Sequence, residues 1–143
     1  YGGIIRHGAK MLYAWAESTV PKIVMPIRKS YGGATQAMCS IDMKADYVIA
    51  WPTCERAVVG SDAAVKVLYK NEIEQAEDPA AAREMYKKAY EDEFLNPYRS
   101  AELGKFEDVI EPAESRIKII QALRMFWGRE KGRPYRKHGN IPL

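Results

Sequence analysis

Histidine and cysteine are scarce in this chain, with two of each in 143 residues. Cys39 and Cys54 stand 15 positions apart without a Cys-x-x-Cys, and no histidine lies at ligand spacing. That spacing supports neither a zinc site nor a disulfide framework. Each cysteine reads as a small buried hydrophobe rather than a nucleophile, which fits a reducing compartment. Long apolar runs are missing too, and none approaches the ~20 residues needed to cross a bilayer. No secretory signal, internal repeat or low-complexity segment is visible. There is no phosphate loop of the G-x-x-x-x-G-K-[ST] type and no Ser-His-Asp set. Tyr1 is not an initiator methionine, so the chain is expected to be a fragment or a processed piece of something longer.

What remains is the composition of one globular domain, 47% hydrophobic and 29% charged. The formal charge of +3 is unevenly spread. Residues 128–143 form a basic tail, with Arg129, Lys131, Arg133, Arg136 and Lys137 against the single acid Glu130, so the rest of the chain is close to neutral. No aromatic-interleaved patch accompanies this tail, and a solvated segment or subunit contact is expected rather than nucleic-acid binding.

Short apolar runs alternate with helical patterns, which argues for an α/β domain. Residues 3–18 have helical spacing, with Ile4, Met11, Leu12 and Trp15 along one face and His7 among polar neighbours. Lys22 to Arg28 is expected as a strand that Pro26 confines to an edge or a bulge. A short helix is expected over residues 34–40, and Ala45 to Trp51 reads as a strand buried on both faces. Glu55 to Val59 follows as a strand, then a helix capped by Ser61 or Asp62. Residues 71–78 read as a loop, and Asp78-Pro79 opens a helix to about Phe94 whose Glu84, Lys87, Lys88, Glu91 and Asp92 form a solvated, ion-paired face. Asn96-Pro97 breaks that helix, and Ser100 to Leu103 is one more turn. Glu107 to Ile110 is a final strand, before an amphipathic helix over 113–127 whose wide apolar face suits packing on another subunit.

The informative stretch is Arg28-Lys29-Ser30-Tyr31-Gly32-Gly33-Ala34-Thr35. An apolar strand, a glycine pair and a helix start leave backbone N–H groups free at the helix N-terminus. Glycine lets the chain turn sharply and a ligand come close. Such a turn either only reverses the chain or serves as an oxyanion hole, with donors fixed before charge develops on oxygen.

Four blocks carry a resemblance. Residues 1–10 (YGGIIRHGAK), 28–34 (RKSYGGA), 45–53 (ADYVIAWPT) and 136–143 (RKHGNIPL) are similar to the carboxyltransferase β subunits of biotin-dependent acyl-CoA carboxylases, the last block to the propionyl-CoA/methylmalonyl-CoA branch. The resemblance implies a crotonase-like fold, a spiral of ββα units. It places residues 1–143 as the C-terminal part of the second, biotin-binding domain of a two-domain subunit. It implies biotin, carried on a partner carrier domain, as cofactor and a short acyl-CoA as substrate. It also implies a biotin carboxylase, the biotin carrier subunit and the remaining part of the carboxyltransferase subunit as partners, in a homo-oligomeric, hexameric ring. Neither nucleic acid nor membrane insertion is expected, and the compartment implied is the cytoplasm, or the mitochondrial matrix in a eukaryote.

The implied reaction moves a carboxyl group between carboxybiotin and the α-carbon of the acyl-CoA. By resemblance, the N–H groups of Gly33 and Ala34 form the oxyanion hole for the ureido oxygen of biotin, with Gly32 part of the same cofactor-binding turn. Thr35 and Gln36 stand at acyl-pocket positions, where the family usually has a bulky aromatic or aliphatic residue first. Gln36 either makes that pocket more polar or bonds a backbone group. Arg56 replaces a common isoleucine and either pairs with an acyl carboxylate or satisfies a partner at an interface. Ala63 stands near a position where the family often has a second glycine. No side chain is expected as base, since decarboxylated biotin can take the α-proton itself, and no metal is implied. Two alternatives stand beside this reading. One is the α subunit of a sodium-translocating methylmalonyl-CoA or glutaconyl-CoA decarboxylase. The other is a non-catalytic assembly module of the same fold.

Overall fold

The structure is a computed structural model that describes residues 2–129 together with Gly132, Tyr135 and Gly139. Tyr1 and most of the basic tail, including Lys131, Arg133, Arg136 and Lys137, lie outside the described residues.

The chain opens with helix α1 (Ile4–Glu17), followed by two very short strands, β1 (Ile23–Val24) and β2 (Lys29–Tyr31). Helix α2 (Gly32–Ala37) comes next, then a 3₁₀ turn at Ile41–Met43 and strands β3 (Tyr47–Ala50) and β4 (Glu55–Ala57). Helices α3 (Ser61–Leu68), α4 (Lys70–Glu74), α5 (Pro79–Phe94) and α6 (Pro97–Glu102) precede β5 (Asp108–Val109). A second 3₁₀ turn, Pro112–Glu114, leads into α7 (Ser115–Met125). The strands form two small parallel sheets, one ordered β1-β3-β5 and the other pairing β2 with β4. Parallel neighbours require crossover connections, and the helices supply them.

The expected single strand from Lys22 to Arg28 is divided between the two sheets. Pro26 has no N–H to give a ladder, and the chain leaves β1 at Val24 to join β4 through β2. β1 is an edge strand, as Pro26 required. β3 is central, and its Val48, Ile49 and Ala50 are all buried. The other strands are two or three residues long, shorter than their apolar runs suggest.

Around β3, Cys39, Ala45, Val48, Ala50, Cys54 and Phe106 form the core, with Trp15, Val24, Ile41 and Met43 packed against it. One buried cation belongs to this region. The ammonium of Lys22 donates to the carbonyls of Trp15 (2.9 Å) and Met43 (3.1 Å), while its backbone N–H donates to Asp46 Oδ2 (2.9 Å). A buried ammonium is tolerated only with such partners.

α5 begins as expected: Asp78 Oδ1 accepts from the N–H groups of Ala80 and Ala81, with Pro79 just inside the helix. Two expectations nearby need correction. Neither Ser61 nor Asp62 caps α3, whose N-cap is Gly60. The Ser61 hydroxyl instead donates to Glu91 Oε1 (2.6 Å) and Asp62 pairs with Lys87 (3.3 Å), because α5 lies against α3 and claims both side chains. Residues 70–74 form a helix rather than a loop, held where Tyr69 stacks on Tyr86 of α5 with centroids 4.4 Å apart. The expected helix over 113–127 breaks into the 3₁₀ turn and α7, and Ala122 is the buried residue of α7. Ile117, Leu123, Met125 and, beyond the helix, Trp127 are exposed.

Asp42 ties the distant pieces together. Its carboxylate accepts from Lys105 (2.7 Å) before β5, from Arg56 (3.1 Å) on β4 and from Gln36 (3.3 Å) on α2. The Lys105 hydrogen bond, then that of Gln36, holds its carboxyl at about 2, against an ordinary 3.8. The folded state therefore loses this proton more readily than the unfolded chain does. The resulting stability is fully present above about pH 4 and disappears as pH falls towards 2. The carboxylate is 39% exposed, so solvent screening leaves about 1 kcal/mol or less. Acid titration of the intact subunit should show Asp42→Asn less stable than the parent at neutral pH and equal to it near pH 2. A gap that persists at pH 2 would contradict this role.

The glycine pair gives a second prediction. Gly32 has φ +54°, and a Cβ there would meet the carbonyl oxygen of Val58 at 3.0 Å; at Gly33 nothing lies within 4 Å of the corresponding position. In urea unfolding, Gly32→Ala should cost roughly 1–3 kcal/mol. Gly33→Ala, at a helical position with room for a methyl, should stay within about 1 kcal/mol of the parent.

Candidate functional site

β2 delivers the chain to α2 through Tyr31, extended at φ −112° and ψ 137°. Gly32 then turns the backbone with its positive φ, and no side chain caps the helix. The amides of Gly33 and Ala34 fall in the first turn, where no earlier helical carbonyl is in position to accept them. Both residues are exposed, and the open space around Gly33 leaves room for a ligand to reach the backbone.

Three contacts hold the turn. The Tyr31 phenol donates to Glu55 Oε2 across the β2–β4 pair. Burial, reinforced by that carboxylate, raises the phenol's pKa above its ordinary value, so it remains a donor. The Tyr31 ring lies under Gly60, where an added Cβ would meet it at 3.2 Å. Across the turn itself, the hydroxyls of Ser30 and Thr35 share a hydrogen bond of 3.0 Å.

A cavity of about 580 Å³ opens beside α2. Ala34 and Thr35 line it, together with Ser30 and the apolar side chains of Trp15, Ile23, Val24, Met38 and Phe106. Its charged lining residues are Lys22, Lys29 and Arg56, all cationic. Gly32, Gly33 and Gln36 are not among the lining residues. The Gln36 side chain is engaged at both ends: its oxygen accepts from the Ser40 hydroxyl (2.6 Å) and its nitrogen donates to Asp42. Both partners are side chains of this chain, neither a backbone group nor a ligand. Arg56 pairs with Asp42 and lies over the Phe106 ring, 5.7 Å from its centroid, so its partners are internal.

His7 is exposed on α1 and stands apart from this lining. Cys39 and Cys54 are buried and not joined in a disulfide. Cys39 Sγ is a weak, long donor to the Ser40 carbonyl at 3.9 Å, and burial pushes the Cys54 thiol up to about 11, away from nucleophilic use near neutral pH. Among the described residues, no group of three or more His, Cys, Asp or Glu side chains could hold a metal ion, and no helix is long and apolar enough to cross a membrane. Sequence reasoning missed Lys22 in the cavity and Asp42 behind it. Neither lies in a motif; long-range folding brings both there.

Comparison with known proteins gives this geometry a context. The α subunit of methylmalonyl-CoA decarboxylase from Propionigenium modestum is 52% identical over 143 residues, which is all of this chain and 28% of that protein. The 12S subunit of methylmalonyl-CoA carboxyltransferase from Propionibacterium freudenreichii subsp. shermanii is 51% identical, over 99% of this chain and 27% of its own length. A crystal structure of transcarboxylase 12S, described as a hexamer with methylmalonyl-coenzyme A and methylmalonic acid bound, superposes with a TM-score of 0.93 at 50% identity, covering all of this chain and 28% of that one. The β subunit of Pseudomonas aeruginosa geranyl-CoA carboxylase superposes at a TM-score of 0.71 and 28% identity, over 96% of this chain and 30% of its own. The chain thus spans little more than a quarter of the length of the curated relatives it matches, and its fold is a portion of their crotonase-like fold. With residues 1–141 matching the carboxyl transferase domain, the chain belongs to that family.

Proposed function

We propose that the protein to which these residues belong transfers a carboxyl group between carboxybiotin and the α-carbon of a short acyl-CoA such as propionyl-CoA, and that the turn at Gly32-Gly33-Ala34 holds the ureido oxygen of biotin. The observation that carries this reading is the pair of exposed first-turn amides, Gly33 and Ala34, uncapped and beside a cavity. The Gly33 and Ala34 amides would face the ureido oxygen, where negative charge would develop as the carboxyl group leaves. Backbone N–H donors stabilise that charge without a counter-charge to desolvate, and a rigid turn aims them in advance. Biotin, when bound, would supply the transferable carboxyl group and the base for the α-proton of the acyl-CoA, while the Gly33 and Ala34 amides would hold its ureido oxygen. The chain's residues hold and orient in this scheme; no side-chain base is required of them.

In this reading residues 1–143 are the C-terminal part of the second domain, with 128–143 as its basic tail. Partners are the remaining part of the subunit, a biotin carboxylase with its biotin carrier, and further copies in a homo-oligomeric ring. The exposed apolar side chains on α7 support burial against such neighbours. Two buried cysteines outside any disulfide suit a cytoplasmic or matrix compartment. Thr35, which lines the cavity, is assigned to the acyl side of the site. Gln36 contributes to that side through the position of α2.

A second reading has an observation of its own: the decarboxylase α subunit is as similar as the carboxyltransferase, at 52% against 51% identity. Purified assembly supplied with biotin carrier, ATP, bicarbonate and propionyl-CoA separates the two. Carboxylation supports the first reading, and sodium-linked decarboxylation of methylmalonyl-CoA supports the second.

The hole itself is tested by Ala34→Pro, which deletes one N–H at a first-turn position that tolerates proline. Biotin-dependent turnover should fall about 10²- to 10³-fold, whereas Ala34→Gly, which keeps the N–H, should retain most of it. Parental turnover in an assembled Ala34→Pro variant would place the hole elsewhere.

A further inference from the structure

We propose that the hydroxyl pair of Ser30 and Thr35 is a clamp that aims the Gly33 and Ala34 amides, so that Thr35 acts on turnover through Ser30. This rests on the reading of the turn as an oxyanion hole. The two hydroxyls are 3.0 Å apart, and either can be the donor. They bracket the four residues that make the turn, one on β2 and the other inside α2.

The turn needs such a tie. Two adjacent glycines have the widest backbone freedom of any pair. α2 is six residues long, and a helix so short has little stability of its own. Tyr31, through Glu55, anchors the strand side of the turn. The carbonyl of Val58 restricts Gly32. Gln36, through Ser40 and Asp42, anchors the far end of α2. Of these contacts, the Ser30–Thr35 bond alone closes the turn across the amides. Ser30 and Thr35 both line the cavity, so a hydroxyl left without its partner has space for water beside it. Loss of the bond should therefore cost little stability while letting the amides drift, and hydrogen bonds to a developing oxyanion are steep in position.

The test is steady-state kinetics on the assembled holoenzyme, with assembly checked by size-exclusion chromatography. Thr35→Val, nearly isosteric but without the hydroxyl, should lower kcat about 10- to 100-fold with KM for the acyl-CoA within about twofold. Thr35→Ser should restore kcat to near the parental value. Ser30→Ala should match Thr35→Val, and the double variant should be no slower than either single one, since both remove the same bond. The clamp is overturned by parental kcat in Thr35→Val. It is equally overturned if Thr35→Ser is as impaired as Thr35→Val, if KM rises while kcat holds, or if Thr35→Val and Ser30→Ala both fail to assemble. Ala34→Pro measured alongside separates the two ideas. If that variant is inactive and Thr35→Val is not, the hole stands without the clamp; if both are fully active, the hole itself is refuted.

Discussion

Gly32 is the point on which the site depends. Its backbone takes a left-handed conformation under the carbonyl of Val58, which an added methyl would crowd at 3.0 Å. That conformation lets the chain leave β2 and enter α2 within one residue, and it leaves the next two amides at the open start of the helix. β2 and β4 run side by side in register, Tyr31 opposite Ala57, so the segment that positions Gly32 from below is also the segment that pairs with the strand before it. The turn is built into a sheet rather than carried on a free loop, which is the arrangement a preorganised donor pair requires.

Polar side chains extend that control outward. Asp42 collects one donor from α2, one from β4 and one from the segment before β5, joining pieces that are remote in sequence. Arg56 serves this network and the cavity at once, with Phe106 beneath its guanidinium. Apart from the cationic Lys22, Lys29 and Arg56 and the hydroxyl residues Ser30, Thr35 and Ser40, the side chains of the cavity wall are apolar. Lys22 is held inside this wall by two carbonyls, so its charge sits near the cavity in a fixed place. For a reaction that passes charge from one oxygen to another, a site with cationic side chains and fixed donors is chemically suitable.

Local chemistry made much of this visible in the sequence. The Asp78-Pro79 helix start and the run over residues 45–51 each state their conformation within a few residues, the latter forming a strand over Tyr47–Ala50, while the glycine pair itself opens the short helix expected from Ala34. Longer-range facts were hidden. Pro26 signalled an edge but not that the chain changes sheets there. Ser61 and Asp62 looked like caps until α5 supplied better partners. The apolar spacing after Pro112 is real, yet among the described residues it buries little, and Ile117, Leu123 and Trp127 are exposed. Asp42, in a plain Ile-Asp-Met sequence, gave no local sign of joining three elements. Gln36 was expected at the acyl pocket, and nothing in its local sequence showed that its amide is spent on Ser40 and Asp42.

The central claim is geometric, and a crystal structure of the intact assembly with biotin bound tests it most directly. The account predicts the ureido oxygen of biotin within about 2.7–3.1 Å of the backbone nitrogens of Gly33 and Ala34, at the mouth of the cavity beside α2. Biotin seated elsewhere, with those two nitrogens turned to other partners in the chain, would contradict it.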